Sequence, residues 1–270
     1  PTFAAEQAER WKKGLAEWGE DGTRIQRLKD AAEFTIYTPG STAGIPVSVL
    51  SSFQKPAVDD PELVRERAQT TVSSLLALAG VDAEPLKSRE HILLTTILLS
   101  AWQAGESPDL ALLIQRIQQP PMARVGVIDL ESFYPMKDRF ELAMTINSLI
   151  ASPGFEVWMQ GEPLDVAAFL RTPSGKPRVS IFSIAHLDDA QRMFFVALLL
   201  NAVAGWMRSQ TGTSSLRAMV YMDEIFGYFP PTANPPSKGP LLTLLKQGRA
   251  AGVSVVLATQ NPVDLDYKGL

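Results

Sequence analysis

Hydrophobic and polar positions change rhythm three times along this chain. In residues 4–18, Ala8, Trp11, Leu15 and Trp18 recur at spacings of three and four, which predicts an amphipathic helix broken by Asp21-Gly22. Phe34-Thr35-Ile36-Tyr37 is β-prone and runs into a turn at Thr38-Pro39-Gly40-Ser41, and Val47 to Leu50 offers a second short strand. The pattern then becomes helical. Asp60-Pro61-Glu62 reads as an N-cap with Pro in the first turn, opening a helix through Leu78 that stops at Gly80. Ser88 opens a second helix, densely apolar to Trp102. Ser107-Pro108-Asp109 opens a third, closed by Gln119-Pro120-Pro121, and Arg139 to Ile150 forms a fourth.

From Pro177 the rhythm alternates between strand and helix. Val179 to Ile184 is a nearly continuous apolar run of strand length. Asp188-Asp189 caps a long apolar helix ending near Arg208, Ala218 to Met222 is a second strand, Pro240 to Arg249 a helix, and Val253 to Ala258 a third strand. Apolar rather than alternating strands, separated by helices, predict a parallel sheet covered on both faces. The expected fold is therefore α/β, with strands and helices in 1–58 and 176–270 and a mostly α-helical insertion at 59–175. No internal repeat or low-complexity tract interrupts this order.

Composition narrows the classes. Among 270 residues, 46% are hydrophobic and 20% charged, which suits one large domain or two modest ones. A net charge of −4 gives no global basic field for nucleic acid, so such contact needs a local patch. The chain has no cysteine, which removes disulfides and thiolate metal sites and fits a reducing, cytoplasmic setting. With His91 and His186 its sole histidines, a zinc site is disfavoured. The apolar stretches Ile92–Trp102 and Met193–Met207 are shorter than the roughly 18–20 residues of a membrane span and read as buried helices. The start at Pro1, without Met or signal peptide, and the stop soon after a core strand lead to the expectation of a fragment of a longer chain.

Candidate chemistry gathers at strand ends. Ala218 to Met222 runs into Asp223-Glu224. In P-loop motors an Asp so placed holds the water shell of Mg²⁺ and the following Glu polarises the water that attacks the γ-phosphate. Ligands of open α/β sheets sit at the carboxyl ends of strands, where this pair projects. A strand merely meeting solvent has the same appearance. The later apolar strand ends in Thr259-Gln260, able to hold the attacking water or sense a phosphate, although Thr-Gln-Asn-Pro is also a plain turn. Between them, Arg249 near a helix C-terminus either offsets the helix dipole or directs a guanidinium at phosphate, in the same or a neighbouring subunit. A similar run, Val125 to Glu131, lies inside the helical block and is assigned to structure.

The ordered set YMDE, KQGRAAG and VVLATQNP resembles the Walker B, arginine and sensor segments of HerA–FtsK-type hexameric ATPases. AERWKKGLAEWGEDGTRI, FTIYTPGSTAGIPVSVL and PRVSIFSIAHLDDAQRMFFVALLLNAV resemble more narrowly the bacterial HerA-like ATP-binding proteins of uncharacterised role. The resemblance implies a RecA-like core in 1–58 and 176–270, and an ATP-hydrolysing hexameric motor acting as a DNA translocase or helicase on double-stranded DNA, with a nuclease among its partners. It implies ATP and Mg²⁺ as cofactors, Asp223 as the Mg²⁺-associated carboxylate, Glu224 as catalytic base, Gln260 as sensor amide, Thr259 as a nucleotide-site residue and Arg249 as the phosphate-directed arginine. A switch acting on protein partners, or a non-catalytic domain of ATPase ancestry, are the rival classes. The family's phosphate-binding loop, G-x-x-x-x-G-K-[ST], is absent. Gly175-Lys176 is followed by Pro177 and a strand, and Gly40 to Gly44 lacks a Lys. The expectation is that this chain alone binds nucleotide weakly or not at all.

Three further features read as structure. Ser183, His186 and Asp188 or Asp189 lack the nucleophile elbow of a hydrolase, and Asp188 serves better as a helix cap. Trp11, Trp18, Trp102, Trp158 and Trp206 are expected in the core rather than stacked on bases. Lys12, Lys13, Arg24, Arg27 and Lys29 interleave with acids as a solvated face. The loop Pro230 to Ser237 is either a plain connector or a segment facing a pore or a neighbouring subunit.

Overall fold

The computed structural model describes residues 2–49, 53–56, 60–85 and 87–268. The fold is α/β. Helix α1 (Thr2–Glu17) and helix α2 (Gly22–Ala31), the latter capped by the Asp21 carboxylate on the Thr23 amide, precede strand β1 (Glu33–Tyr37). Strand β2 (Val47–Ser48) matches the first half of the expected Val47–Leu50 strand; Leu50 lies outside the described residues, as does the expected boundary at 58 and 59. The helical block follows as α3 (Pro61–Leu78), α4 (Arg89–Gln103) and α5 (Leu110–Gln118). Next come a small hairpin of β3 (Arg124–Val125) and β4 (Ile128–Asp129), then α6 (Leu130–Phe133) and α7 (Met136–Ile150). Val125 to Glu131 is thus a turn and a cap, with Asp129 accepting from the Ser132 amide at 2.9 Å. A 3-10 turn (Phe155–Met159), β5 (Glu162–Pro163) and α8 (Val166–Leu170) lead to the final alternation. That is β6 (Arg178–Phe182), α9 (Asp189–Arg208), β7 (Ala218–Met222), α10 (Lys238–Ala251) and β8 (Val253–Leu257).

Pairing departs from the simple order of the sequence. β7 and β8 pair in parallel with Ala218 opposite Val253, as a strand–helix–strand unit should. β6 pairs in parallel not with β7 but with β1, Glu33 opposite Arg178, and β2 pairs with β5. Among the described residues the parallel strands therefore form three separate pairs, β1–β6, β2–β5 and β7–β8, rather than one continuous ladder. Only one face of these pairs is covered. Phe34, Ile36, Val179, Ile181, Met219 and Tyr221 remain exposed on the strands, so burial alternates where continuous burial was expected. No described helix lies over that face closely enough to bury them.

The core runs under the covered face. α9 carries it: Phe194, Phe195, Leu198, Leu200 and Met207 are buried, and the helix packs against α3, α8 and α10. By length and composition α9 could cross a bilayer, yet most of it is buried inside the fold, which identifies a core helix. Its start is a full capping box, Asp188 accepting from the Gln191 amide while the Gln191 side chain accepts from the Asp188 amide. Tyr37, Phe169, Phe182 and Phe195 form an aromatic chain under β1 and β6, with centroid separations of 5.0 to 5.5 Å along its links. The turn after β1 packs against Trp158: a Cβ on Gly40, whose φ is +69°, would lie 2.6 Å from that indole, so glycine is required.

The tryptophans split. Trp102 and Trp158 are buried and Trp206 half-buried, as expected, and Trp102 Nε1 donates to the Phe53 carbonyl at 2.8 Å. Trp11 and Trp18 are 71% and 86% exposed, contrary to expectation, because α1 buries no residue against any other element. Helix α2 gives no periodic signal in the sequence: GTRIQRLKDA has only Ile25 and Leu28 as large apolar residues and no buried side chain.

Candidate functional site

The β7–β8 ladder continues past both strands. Ala258 donates to the Met222 carbonyl at 2.9 Å and Ile225 donates to the Ala258 carbonyl at 3.0 Å, so the residues following the two strands stay side by side. This brings together Asp223-Glu224 and Thr259-Gln260. The Gln260 Nε2 donates to Glu224 Oε2 at 3.2 Å, the contact that joins residues 36 positions apart. Tyr221 Oη approaches Asp223 Oδ1 at 3.4 Å. Both carboxylates are exposed, as they must be to meet a ligand.

Glu224 has a second distinction. Its φ is +55°, the sole positive value at a non-glycine position among the described residues. Left-handed backbone costs an L-residue about 1–2 kcal/mol, more than Asn or Gly would incur. What imposes it is the turn beneath: Ile225 and Phe229 are fully buried, and the Ile225 amide is committed to Ala258. The chain must reverse within one residue to drop Ile225 into the core while leaving the Glu224 side chain outside.

Thr259 has a different occupation. Its hydroxyl lies 3.1 Å from both the Asn261 carbonyl and Asp264 Oδ2, and accepts from the Asn261 amide at 3.1 Å. Asn261 in turn caps a 3-10 turn, Pro262–Asp264. The turn reading of Thr-Gln-Asn-Pro therefore holds for Thr259, while Gln260 alone of that segment reaches the acidic pair. Asp264, not singled out in the sequence, is the residue that fixes Thr259.

Arg249 is not in this cluster. It sits at the end of α10, three residues from Gly252, where β8 begins, whereas Gln260 follows the other end of β8. Five strand residues at about 3.3 Å each put Arg249 roughly 17 Å from the carboxylates, at the opposite edge of the sheet. It is exposed and makes no side-chain hydrogen bond or ion pair among the described residues.

The remaining candidates resolve as structure. His186 Nε2 donates to the Pro39 carbonyl at 2.9 Å and Asp188 is spent on the α9 cap, so no triad forms with Ser183. Lys176 Nζ donates to the Lys29 carbonyl at 3.0 Å, tying the Gly175 turn to the end of α2 rather than facing a ligand. Lys12, Lys13, Arg24, Arg27 and Lys29 are exposed, Arg24 pairing with Glu20 at 2.8 Å. Among the described residues no cluster of three or more His, Asp or Glu forms a ready metal cage.

No protein-family model matches the chain, and no curated protein sequence matches it. Solved structures do. VirB4 of Thermoanaerobacter pseudethanolicus superposes with a TM-score of 0.53 at 11% identity, over 91% of this chain and 68% of that one. The bacterial conjugative coupling protein TrwB, in its unbound monoclinic form, gives 0.44 at 12% identity, over 91% of this chain. The chain spans 60% of the length of that TrwB structure. What the chain shares with VirB4, at this level of identity, is the α/β fold.

Proposed function

We propose that this chain is the Walker B and sensor half of a nucleoside-triphosphate-hydrolysing motor of the HerA–FtsK kind. The observation that carries the reading is the Glu224–Gln260 contact. Two adjacent parallel strands end in a carboxylate held out on strained backbone and an amide that holds it, at the carboxyl edge where α/β folds bind ligands. Glu224 acts as the base that orients water, with Gln260 fixing its carboxylate and reporting on the γ-phosphate. Asp223 takes the metal-associated place. One or two exposed carboxylates without a protein cage fit Mg²⁺, which is bound through few carboxylates together with substrate phosphates and waters. ATP and Mg²⁺ are then the cofactors, and the bound metal would neutralise charge developing on the phosphates.

The phosphate-binding loop belongs to a segment outside these 270 residues, since no G-x-x-x-x-G-K-[ST] occurs among them. The location of Arg249 at the far edge of the sheet favours a ring in which each copy supplies this arginine to its neighbour, a hexamer in the motors this sequence resembles. Double-stranded DNA is the proposed track. The exposed tip 231–234 of the loop after β7 is the element offered to it.

The test is nucleotide hydrolysis by a chain carrying these residues together with a phosphate-binding loop, with and without double-stranded DNA, beside its Glu224→Gln variant. DNA-stimulated turnover that collapses in the variant at unchanged ATP affinity supports the reading. Turnover indifferent to Glu224 would reduce the strand-end carboxylates to scaffold. Replacing Thr232–Pro236 by a Gly-Ser loop separates the DNA role: stimulation that survives intact would remove this loop from the track.

A further inference from the structure

Lys238, the first residue of α10, is buried, and its partner is half-buried. Its Nζ lies 2.9 Å from Asp266 Oδ2, with side-chain exposures of 8% and 13%. The other two hydrogens are also committed, to the Pro230 carbonyl at 2.7 Å and the Ala233 carbonyl at 3.2 Å. All three donors of the ammonium thus have acceptors, the condition under which a buried charge is tolerated. The acceptors come from two different segments. Pro230 and Ala233 belong to the loop that follows Glu224, and Asp266 to the segment that follows Gln260. The same two segments meet again where the Asp266 amide donates to the Phe229 carbonyl at 3.0 Å. Ser237 Oγ closes the loop from the inside by donating to the Tyr228 carbonyl at 2.8 Å.

We propose that Lys238 is the positioning residue for the Glu224–Gln260 pair, clamping through Asp266 the two segments that leave the ends of β7 and β8. At the near end these segments are joined by the Ile225–Ala258 backbone bond and by the exposed Gln260–Glu224 contact. At the far end they are joined by the Lys238–Asp266 pair. A loop held at one end leaves an exposed side-chain bond free to open; held at both, it keeps Glu224 in its left-handed conformation with Gln260 against it. The reason this separation matters rests on the function proposed above. The clamp itself does not, and no readout below involves nucleotide.

The experiment compares the wild-type chain with Lys238→Met, which keeps length and removes charge, Lys238→Arg, which keeps charge, and Asp266→Asn, a milder cut that remains available where the methionine variant does not fold. Two signals are read by NMR: the side-chain amide of Gln260, and hydrogen exchange at the Ile225 and Ala258 amides against the central ladder, Met219–Tyr221 and Ser254–Val256. The clamp predicts exchange about tenfold faster at Ile225 and Ala258 in the methionine or asparagine variant, with the central ladder changed by less than about twofold. The Gln260 amide resonances move to free-glutamine positions, and Lys238→Arg retains the wild-type pattern. Unchanged Gln260 signals with unchanged protection at Ile225 would overturn the proposal. So would acceleration by one common factor along the entire ladder, which would make the pair a general support of the fold.

Discussion

The strained residue at the strand end invites a test in which two truncations are set against each other. Glu224→Ala and Glu224→Gly both delete the carboxylate and its bond to Gln260, so that loss cancels in the comparison. Glu224 is exposed, so neither change opens a cavity. What differs is the backbone at φ +55°. Alanine keeps the left-handed penalty of about 1–2 kcal/mol, whereas glycine escapes it. Glycine in turn loses more freedom on folding, roughly 0.5–1 kcal/mol. The difference leaves Glu224→Gly more stable than Glu224→Ala by about 0.5–1 kcal/mol. Against the wild type, glycine lands near parity, the relief of strain being offset by an exposed hydrogen bond worth about 0.5 kcal/mol. Urea unfolding followed by far-ultraviolet circular dichroism gives all three values from one series. Alanine equal to or more stable than glycine would refute the claim that this backbone is strained and, with it, the idea that the proposed base is held at a cost in stability.

Other expectations follow from single contacts. A Cβ on Gly252, where φ is +73°, would lie 2.3 Å from the Ser215 carbonyl oxygen, so Gly252→Ala should cost about 2 kcal/mol or more, read from the urea midpoint. Trp102→Phe leaves the buried Phe53 carbonyl without its donor and should cost about 1–3 kcal/mol in the same assay. Burial holds the His91 imidazole below its ordinary pKa, its bond to the Gln69 carbonyl opposing this. The unfolded chain then takes up a proton below about pH 6.5 before the folded one does, so this component of stability is present above that pH and shrinks as pH falls towards the folded value. His91→Gln should show a smaller loss between neutral pH and about pH 5 than the wild type, and an identical loss would remove His91 from the account. Calorimetry of these 270 residues with Mg-ATP should show weak binding or none, and a tight Mg-dependent isotherm would contradict the assignment of the phosphate-binding loop to another segment.

Elements are legible in the sequence where the determining forces are local. Helix starts are legible because Asp109 and Asp188 are caps whose chemistry acts within three residues, and both caps are present. The strand ends carrying Asp223 and Gln260 are legible because apolar runs of strand length flank a helix that stops at Gly252 in the left-handed conformation. Pairing is not legible in the same way. Nothing in Val179 to Ile184 distinguishes β1 from β7 as the neighbour of β6, since partner choice depends on where remote segments come to lie. Helix α2 escapes because periodicity reports burial, and α2 buries no side chain. The exposure of Trp11 and Trp18 escapes for the reciprocal reason: an apolar stripe announces a face able to be covered, not the element that covers it. Within the candidate site, the meeting of Glu224 and Gln260 is legible from their places after two neighbouring strands, whereas Lys238, Asp264 and Asp266 act through bonds to backbone carbonyls and to a turn, which no spacing rule encodes.

The unequal sequence separations of the β7–β8 and β1–β6 pairs have a consequence for how the chain reaches its fold. Ala218 meets Val253 across 35 positions, while Glu33 meets Arg178 across 145. Closing the longer loop costs about 1.3 kcal/mol more in chain entropy, from the logarithm of that ratio. The β7–α10–β8 unit is therefore the natural nucleus, and β1 joins β6 late, after the intervening helices have shortened the distance to be searched. Substitutions in β1 should accordingly register in the unfolding rate, and those in β7 or α10 in the folding rate, so that the segment bearing Glu224 is among the first parts of the molecule to take shape.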